Sequence, residues 1–261
     1  MKIRTGTLAE LKKQGKKFAC LTSYDQQTAE IFDSVGIEVI LVGDSASNTV
    51  LANDTTIPIS LEEMIPFGKA VARSAKSSLV VFDMPFGSYE EGDAQALSNA
   101  IRVMKETGAA AVKIEGKRTS QIKALVEAGI PVMGHVGFTP QTVHSLSGFK
   151  VQGRNQDAER VLADAKAVAE AGAFAIVLEM VPADLASEIT KALSIPTIGI
   201  GAGNQTDGQI LVWTDFAGLG AKIPSFAKQY LNLRSQLEQA ANSYRSDVQT
   251  GKFPSAEQSF S

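Results

Sequence analysis

Along this chain, short continuous apolar runs alternate with longer segments of helical periodicity. Phe18–Tyr24 (FACLTSY), Val39–Asp44, Leu79–Asp83, Ala110–Gly116 (AAVKIEG), Pro131–Gly137 (PVMGHVG), Ala175–Val181 (AIVLEMV) and Pro196–Gly203 (PTIGIGAG) read as strands. Apolar runs of this length, bounded by turn residues, are the pattern of parallel strands buried on both faces. Gln209–Trp213 is read as a short eighth strand. Between them, Asp25–Val35, Leu61–Ala75, Asp93–Thr107, Thr119–Ala128, Asp157–Ala171 and Ala183–Leu193 carry helical patterns, with Gly36 and Gly108 as stops. A short amphipathic helix is expected over residues 5–14, with Thr7 as N-cap and Glu10 completing a capping box. A long terminal helix is expected over Phe226–Val248, followed by a polar tail over Thr250–Ser261. Ser45–Pro58 is polar and longer than most βα connections, so it is a candidate binding loop, and Phe138–Gln156 is read as a second long loop carrying Gly, Ser, Gln and Arg154.

Eight strand–helix alternations with no linker imply parallel strands joined by right-handed crossovers. At 261 residues they favour one closed (β/α)8 barrel domain spanning 1–261 over a doubly wound sheet, which is the competing arrangement. Hydrophobic content of 44% and charged content of 20% suit a globular fold. The formal net charge of −3 gives no electrostatic reason to expect nucleic acid. No apolar stretch reaches the length of a membrane span and no leader-like segment stands at the N-terminus, so the expected location is cytoplasmic. The single cysteine, Cys20, falls inside a strand and is expected to be a buried, inert thiol.

The chemistry lies where the strands stop. Asp44, Asp83, Glu115 and Glu179 each end an apolar run, and Lys113 alternates with Glu115 so that both face the same side of their strand. In a barrel, functional residues gather at the C-terminal strand ends. Taken singly, each acid can equally cap a helix or pair with a lysine. As a set on apolar strands they point to hard oxygen ligands for Mg²⁺, since cysteine is absent nearby and the chain holds two histidines. Lys113 is read either as a ligand for a substrate carboxylate or as a structural partner of the acids. Glu179, four units further round, is flanked by Leu178 and Met180; partial desolvation would raise its pKa and suit it as a general base, against the alternative of a surface glutamate. His135, between Gly134 and Gly137, could bond substrate or an acid, or be a satisfied buried histidine. The run Gly199–Gly203 lacks dinucleotide-fingerprint spacing and is read as a tight turn against a ligand or helix.

VGDS (Val42–Ser45), FDMPF (Phe82–Phe86), VKIEG (Val112–Gly116), GHVGFTPQ (Gly134–Gln141), FKVQGR (Phe149–Arg154), LEMVP (Leu178–Pro182) and IGIGAGNQTDGQILV (Ile198–Val212) together resemble the ketopantoate hydroxymethyltransferases. The likeness runs in order from about Thr5 to about Tyr244. It implies a (β/α)8 TIM barrel of the phosphoenolpyruvate/pyruvate type. The implied reaction is hydroxymethyl transfer from 5,10-methylenetetrahydrofolate to 3-methyl-2-oxobutanoate, giving 2-dehydropantoate for coenzyme A synthesis through a Mg²⁺-stabilised enolate. It further implies Mg²⁺ on Asp44, Asp83 and Glu115, the keto acid on Asp44, Ser45, Asp83 and Lys113, and Glu179 as proton acceptor. Keto acid and folate are then the small-molecule partners, and a homodecamer is the expected assembly.

Three residues in two segments depart from the family pattern. Ala46–Ser47 stand where Leu-Gly follows VGDS, and Ser225 stands where the family often has lysine. Two other readings remain open on sequence: a Mg²⁺-dependent lyase or aldolase of the same barrel type that needs no folate, and a non-catalytic barrel whose acids form structural ion pairs.

Overall fold

The computed structural model describes residues 2–260; Met1 and Ser261, the ends of the expected domain and tail, lie outside it. Two compact units are present, Met1–Val212 and Trp213–Ser261. In the first, eight parallel strands close into a barrel in sequence order. They are β1 Phe18–Thr22, β2 Val39–Val42, β3 Leu79–Asp83, β4 Ala111–Lys113, β5 Val132–Gly137, β6 Ala175–Glu179, β7 Thr197–Ile200 and β8 Gly208–Leu211, and β8 pairs with β1 to complete the ring. Helices α1 Thr5–Lys13, α2 Gln26–Ser34, α3 Ala46–Thr49, α4 Leu61–Ser74, α5 Asp93–Thr107, α6 Thr119–Glu127, α7 Asp157–Glu170 and α8 Ala183–Ala192 precede or separate the strands.

Alternation along each strand sorts the side chains. Val39 and Leu41, Leu79 and Val81, Ala111, Met133, Ala175 and Val177, and Ile198 and Ile200 form one buried cluster inside the barrel. Their neighbours Ile40, Val80, Val112, Ile176 and Leu178 are equally buried, as required where helices cover the outer face. Following the inward series two residues further along β3, β4, β5 and β6 arrives at Asp83, Lys113, His135 and Glu179. The polar layer is thus the last tier of the same stacks that fill the core.

The opposite end is closed by α1. Leu8 joins the interior cluster, and the Lys12 ammonium bonds Asp207 Oδ2 at 2.8 Å and the Thr190 carbonyl at 2.9 Å. Thr7 is the third residue of α1 rather than its cap: its hydroxyl accepts from the Arg4 amide at 3.1 Å, so the helix starts earlier than Thr7 suggests. The stretch Ser45–Pro58 is not all loop, because α3 makes one helical turn directly after Asp44 and Ser45. The eighth strand ends at Leu211, and Trp213 opens a helix instead of closing a strand.

The loop before β3 hangs on one side chain. Asp33 accepts from the backbone amides of Lys76, Ser77 and Ser78 and from the Ser78 hydroxyl, at 2.6–3.0 Å. Burial works against this carboxylate, but the four donors outweigh it and hold its pKa below the usual value. Asp33→Ala is therefore expected to cost about 2 kcal/mol of stability at neutral pH, measured by urea unfolding. A depressed native pKa contributes stability that is complete above the unfolded carboxylate's value of about 3.9 and is lost as pH falls through the native value. The gap between variant and wild type should accordingly narrow below about pH 4.

The second unit carries α9 Trp213–Phe216 and α10 Leu233–Gln249. The expected helix from Phe226 starts seven residues late, because Tyr230 turns its amide to the Phe216 carbonyl and Asn232 caps the helix by accepting from the Ser235 amide. Phe216 stacks on Tyr230, with ring centroids 5.3 Å apart. The expected tail contains a short 3-10 turn, Ala256–Gln258, capped by Ser255. Among the described residues no helix is long and apolar enough to cross a membrane.

Candidate active site

Three carboxylates from three adjacent strand ends meet at the mouth of the barrel. Asp44, Asp83 and Glu115 are buried, and one oxygen of each lies within 4.8 Å of the others. Asp83 and Lys113 are register partners on β3 and β4. That adjacency puts the Lys113 ammonium 2.6 and 2.7 Å from the two Asp83 oxygens, with Glu115 Oε1 at 3.4 Å. Lys113 and Glu115 do share one face, although regular strand structure stops at Lys113.

His135 connects this cluster to Glu179. Its Nδ1 is 3.2 Å from Glu115 Oε1 and its Nε2 is 3.3 Å from Glu179 Oε2, so each ring nitrogen faces a carboxylate at ion-pair distance. Glu179 is the more open of the two acids, its side chain 15% exposed against 1% for Glu115. The Glu179 backbone is clamped: its carbonyl accepts from the Phe138 amide at 2.8 Å. Gly137 leaves the room this requires, since a Cβ there would stand 2.4 Å from the Glu179 carbonyl oxygen, and its φ of +94° already favours glycine.

Ser45 lies just outside the carboxylate group, its hydroxyl 2.7 Å from the Tyr24 hydroxyl, which in turn accepts from Thr22 Oγ1 at 3.0 Å. Ser47, one of the two residues that replace Leu-Gly, is buried and ties the loop together: its hydroxyl donates to the Thr55 carbonyl at 2.7 Å and accepts from Asn53 Nδ2 at 3.1 Å. The glycine run after β7 is a close-packed turn, with a Cβ on Gly203 falling 2.5 Å from Ala183. Cys20 is buried in the barrel, where burial and the Glu38 charge push its thiol pKa well up, as expected of an inert thiol.

The charges are unevenly distributed. Burial disfavours the Lys113 ammonium, but Asp83, Glu115 and Asp44 outweigh burial and raise its pKa. Burial likewise disfavours ionised Glu115; Lys113 and His135 overcome it and hold the carboxyl down at about 2. His135 is pushed up to about 9, because Glu115 and Glu179 outweigh both burial and the Lys113 charge. Asp44 receives the smallest share of positive charge. Burial, then repulsion from Asp83 and Glu115, pushes its carboxyl well above the ordinary range. A buried cluster of carboxylate oxygens in which Asp44 is short of positive charge fits a hard divalent cation, which would supply the charge that Lys113 and His135 do not.

Three further residues complete the site beyond those that the strand-end pattern marks. Gln141, in the 3-10 turn after β5, donates from Nε2 to Asp44 Oδ2 and to the Met84 carbonyl, both at 3.0 Å, and its amide donates to Glu115 Oε2 at 3.0 Å. Tyr89 donates its hydroxyl to Gln141 Oε1 and accepts from the Glu115 amide. Tyr24 holds Ser45. A signal for Tyr24 was present, since it continues the inward alternation Phe18, Cys20, Thr22. Gln141 ends the motif GHVGFTPQ, but its partners Asp44, Met84 and Glu115 come from segments far away in sequence.

The fold and this site define the class first: a (β/α)8 barrel with a metal-competent acidic mouth. The same fold occurs in phosphonopyruvate hydrolase, solved as a complex with oxalate and Mg²⁺ (TM-score 0.62, 14% identity, 98% of this chain and 93% of that one). It also occurs in 2,3-dimethylmalate lyase, a member of the PEP mutase/isocitrate lyase superfamily (TM-score 0.59, 14% identity, 100% and 93%). At that identity the likeness extends to the fold alone. The family follows from sequence. The ketopantoate hydroxymethyltransferase family matches residues 2–256. Relatives named 3-methyl-2-oxobutanoate hydroxymethyltransferase include those of Leifsonia xyli subsp. xyli, 57% identical over 99% of this chain and 95% of that protein, and of Arthrobacter sp., 55% identical over 99% and 87%. This chain belongs to the ketopantoate hydroxymethyltransferase family.

Proposed function

We propose that this chain transfers a hydroxymethyl group from 5,10-methylenetetrahydrofolate to C3 of 3-methyl-2-oxobutanoate, releasing 2-dehydropantoate and tetrahydrofolate. The observation that carries the reading is the pairing, within a chain of this family, of a three-carboxylate cluster with a separate, more open glutamate joined to it through His135.

Asp44, Asp83 and Glu115 would hold Mg²⁺, which when bound supplies Lewis acidity to the 2-oxo acid. Ser45, oriented by Tyr24, offers a hydroxyl to the substrate carboxylate. Lys113 places a fixed positive charge where negative charge gathers on the keto oxygen as the C3–H bond breaks, a stabilisation that requires no reorganisation during the step. Glu179 takes the C3 proton, and His135 holds its carboxylate in place through the 3.3 Å contact. C3 then attacks the methylene carbon of the folate. The new C3–CH₂ bond forms, the carbon's bonds to folate nitrogen break, and one water supplies the hydroxyl oxygen. Asp44, Asp83 and His135 complete the substrate contacts in this reading. Cytoplasmic location and decameric assembly belong to the same reading.

The test is product formation from 3-methyl-2-oxobutanoate, Mg²⁺ and methylenetetrahydrofolate, followed by mass spectrometry. 2-Dehydropantoate should form only when folate is present. Folate-independent cleavage or joining of 2-oxo acids would replace this reading with that of a lyase or aldolase.

A further inference from the structure

The geometry points to Gln141 as the residue that positions Asp44 and Glu115 for the cation, with Tyr89 fixing which way its amide faces. The inference rests on the metal reading above. Gln141 is 3% exposed and reaches two carboxylates that follow different strands, β2 and β4, and stand 71 residues apart in sequence. Its side-chain amide holds Asp44 Oδ2, while its backbone amide holds Glu115 Oε2. A hydrogen bond to one oxygen fixes the rotation of a carboxylate and still leaves lone pairs for a cation. Without those bonds, two buried acids that repel each other would be free to turn apart.

The amide also has only one workable orientation. Nε2 faces two acceptors, Asp44 Oδ2 and the Met84 carbonyl, and Oε1 faces the Tyr89 hydroxyl, which donates to it. Exchanging O and N would set oxygen against two oxygens. Tyr89 is itself held in place by the Glu115 amide, so the bracket closes on both ligands. A buried polar network of this kind, with every member partnered, fixes one geometry. Residues that orient metal ligands in this way govern affinity for the ion without touching it.

The experiment is titration of Mn²⁺ into the full-length chain with no substrate, following the free ion by electron paramagnetic resonance. The wild type should bind Mn²⁺, and Asp83→Ala should lose it. Gln141→Met preserves side-chain length and the backbone amide but removes the side-chain donor; Mn²⁺ affinity should fall about tenfold or more. Tyr89→Phe, which frees the amide to turn over, should give a smaller loss in the same direction. A role confined to packing would lower the Tm of both variants and leave Mn²⁺ affinity unchanged, and that result overturns the inference. If Gln141→Met does not fold, Tyr89→Phe decides alone, by the same criterion. A wild type that takes up no Mn²⁺ overturns the metal reading and this inference with it, whereas equal affinity in wild type and variants overturns the inference only.

Discussion

Lys113→Met will destabilise the protein by about 3–5 kcal/mol in metal-free buffer, the cost of removing one partner from a buried ion pair. The side chains of Lys113 and Asp83 are 4% and 2% exposed, so solvent cannot take over from the lost ammonium. Asp83, Glu115 and Asp44 would be left facing one another. Most of the loss should return when Mg²⁺ is added, since a cation that binds the folded chain stabilises it by mass action, about 2.7 kcal/mol at a hundredfold excess over its Kd. The wild type, with Lys113 already offsetting part of the charge, should gain less. Urea unfolding with and without millimolar Mg²⁺ checks both parts. A loss under 1 kcal/mol, or one that Mg²⁺ leaves untouched, would contradict the electrostatic account of the cluster.

The second large effect concerns rate. Glu179→Gln should lower kcat by about 10²–10⁴, the range over which a positioned general base contributes. Binding of 3-methyl-2-oxobutanoate should stay within a few-fold of wild type, because Glu179 stands apart from the carboxylate cluster and meets it through His135. Turnover and equilibrium binding are measured separately. A variant with near-normal kcat would remove Glu179 from the chemistry.

Much of this architecture was legible along the chain, for a simple reason. Parallel strands covered on both faces must be apolar throughout, so Asp44, Asp83, Lys113, Glu115, His135 and Glu179 stand out against VILV, LVVF, AAV, PVMG and AIVL. Period-2 alternation then puts the last five on the inward side. Less was legible where tertiary contacts override local pattern. Thr7 looks like a cap, but Arg4 lets α1 begin before it. Phe226–Asn232 carries helix formers, yet Tyr230 bonds back to Phe216 and the helix waits for Asn232. Gln141 and Tyr89 are ordinary loop residues in sequence, and their roles exist only once β2, β3, β4 and β5 lie side by side. The departure at Ser47 follows the same rule, since its hydroxyl matters because Asn53 and Thr55 fold back onto it.

In the proposed reaction the acidic mouth of this barrel removes the C3 proton of 3-methyl-2-oxobutanoate. Exchange of that proton for deuterium, observed by NMR without folate, isolates the step. Mg²⁺-dependent exchange is expected in the wild type and is expected to be lost in both Asp83→Ala and Glu179→Gln. Exchange that persists in Glu179→Gln, or no exchange in the wild type with metal present, would contradict that step.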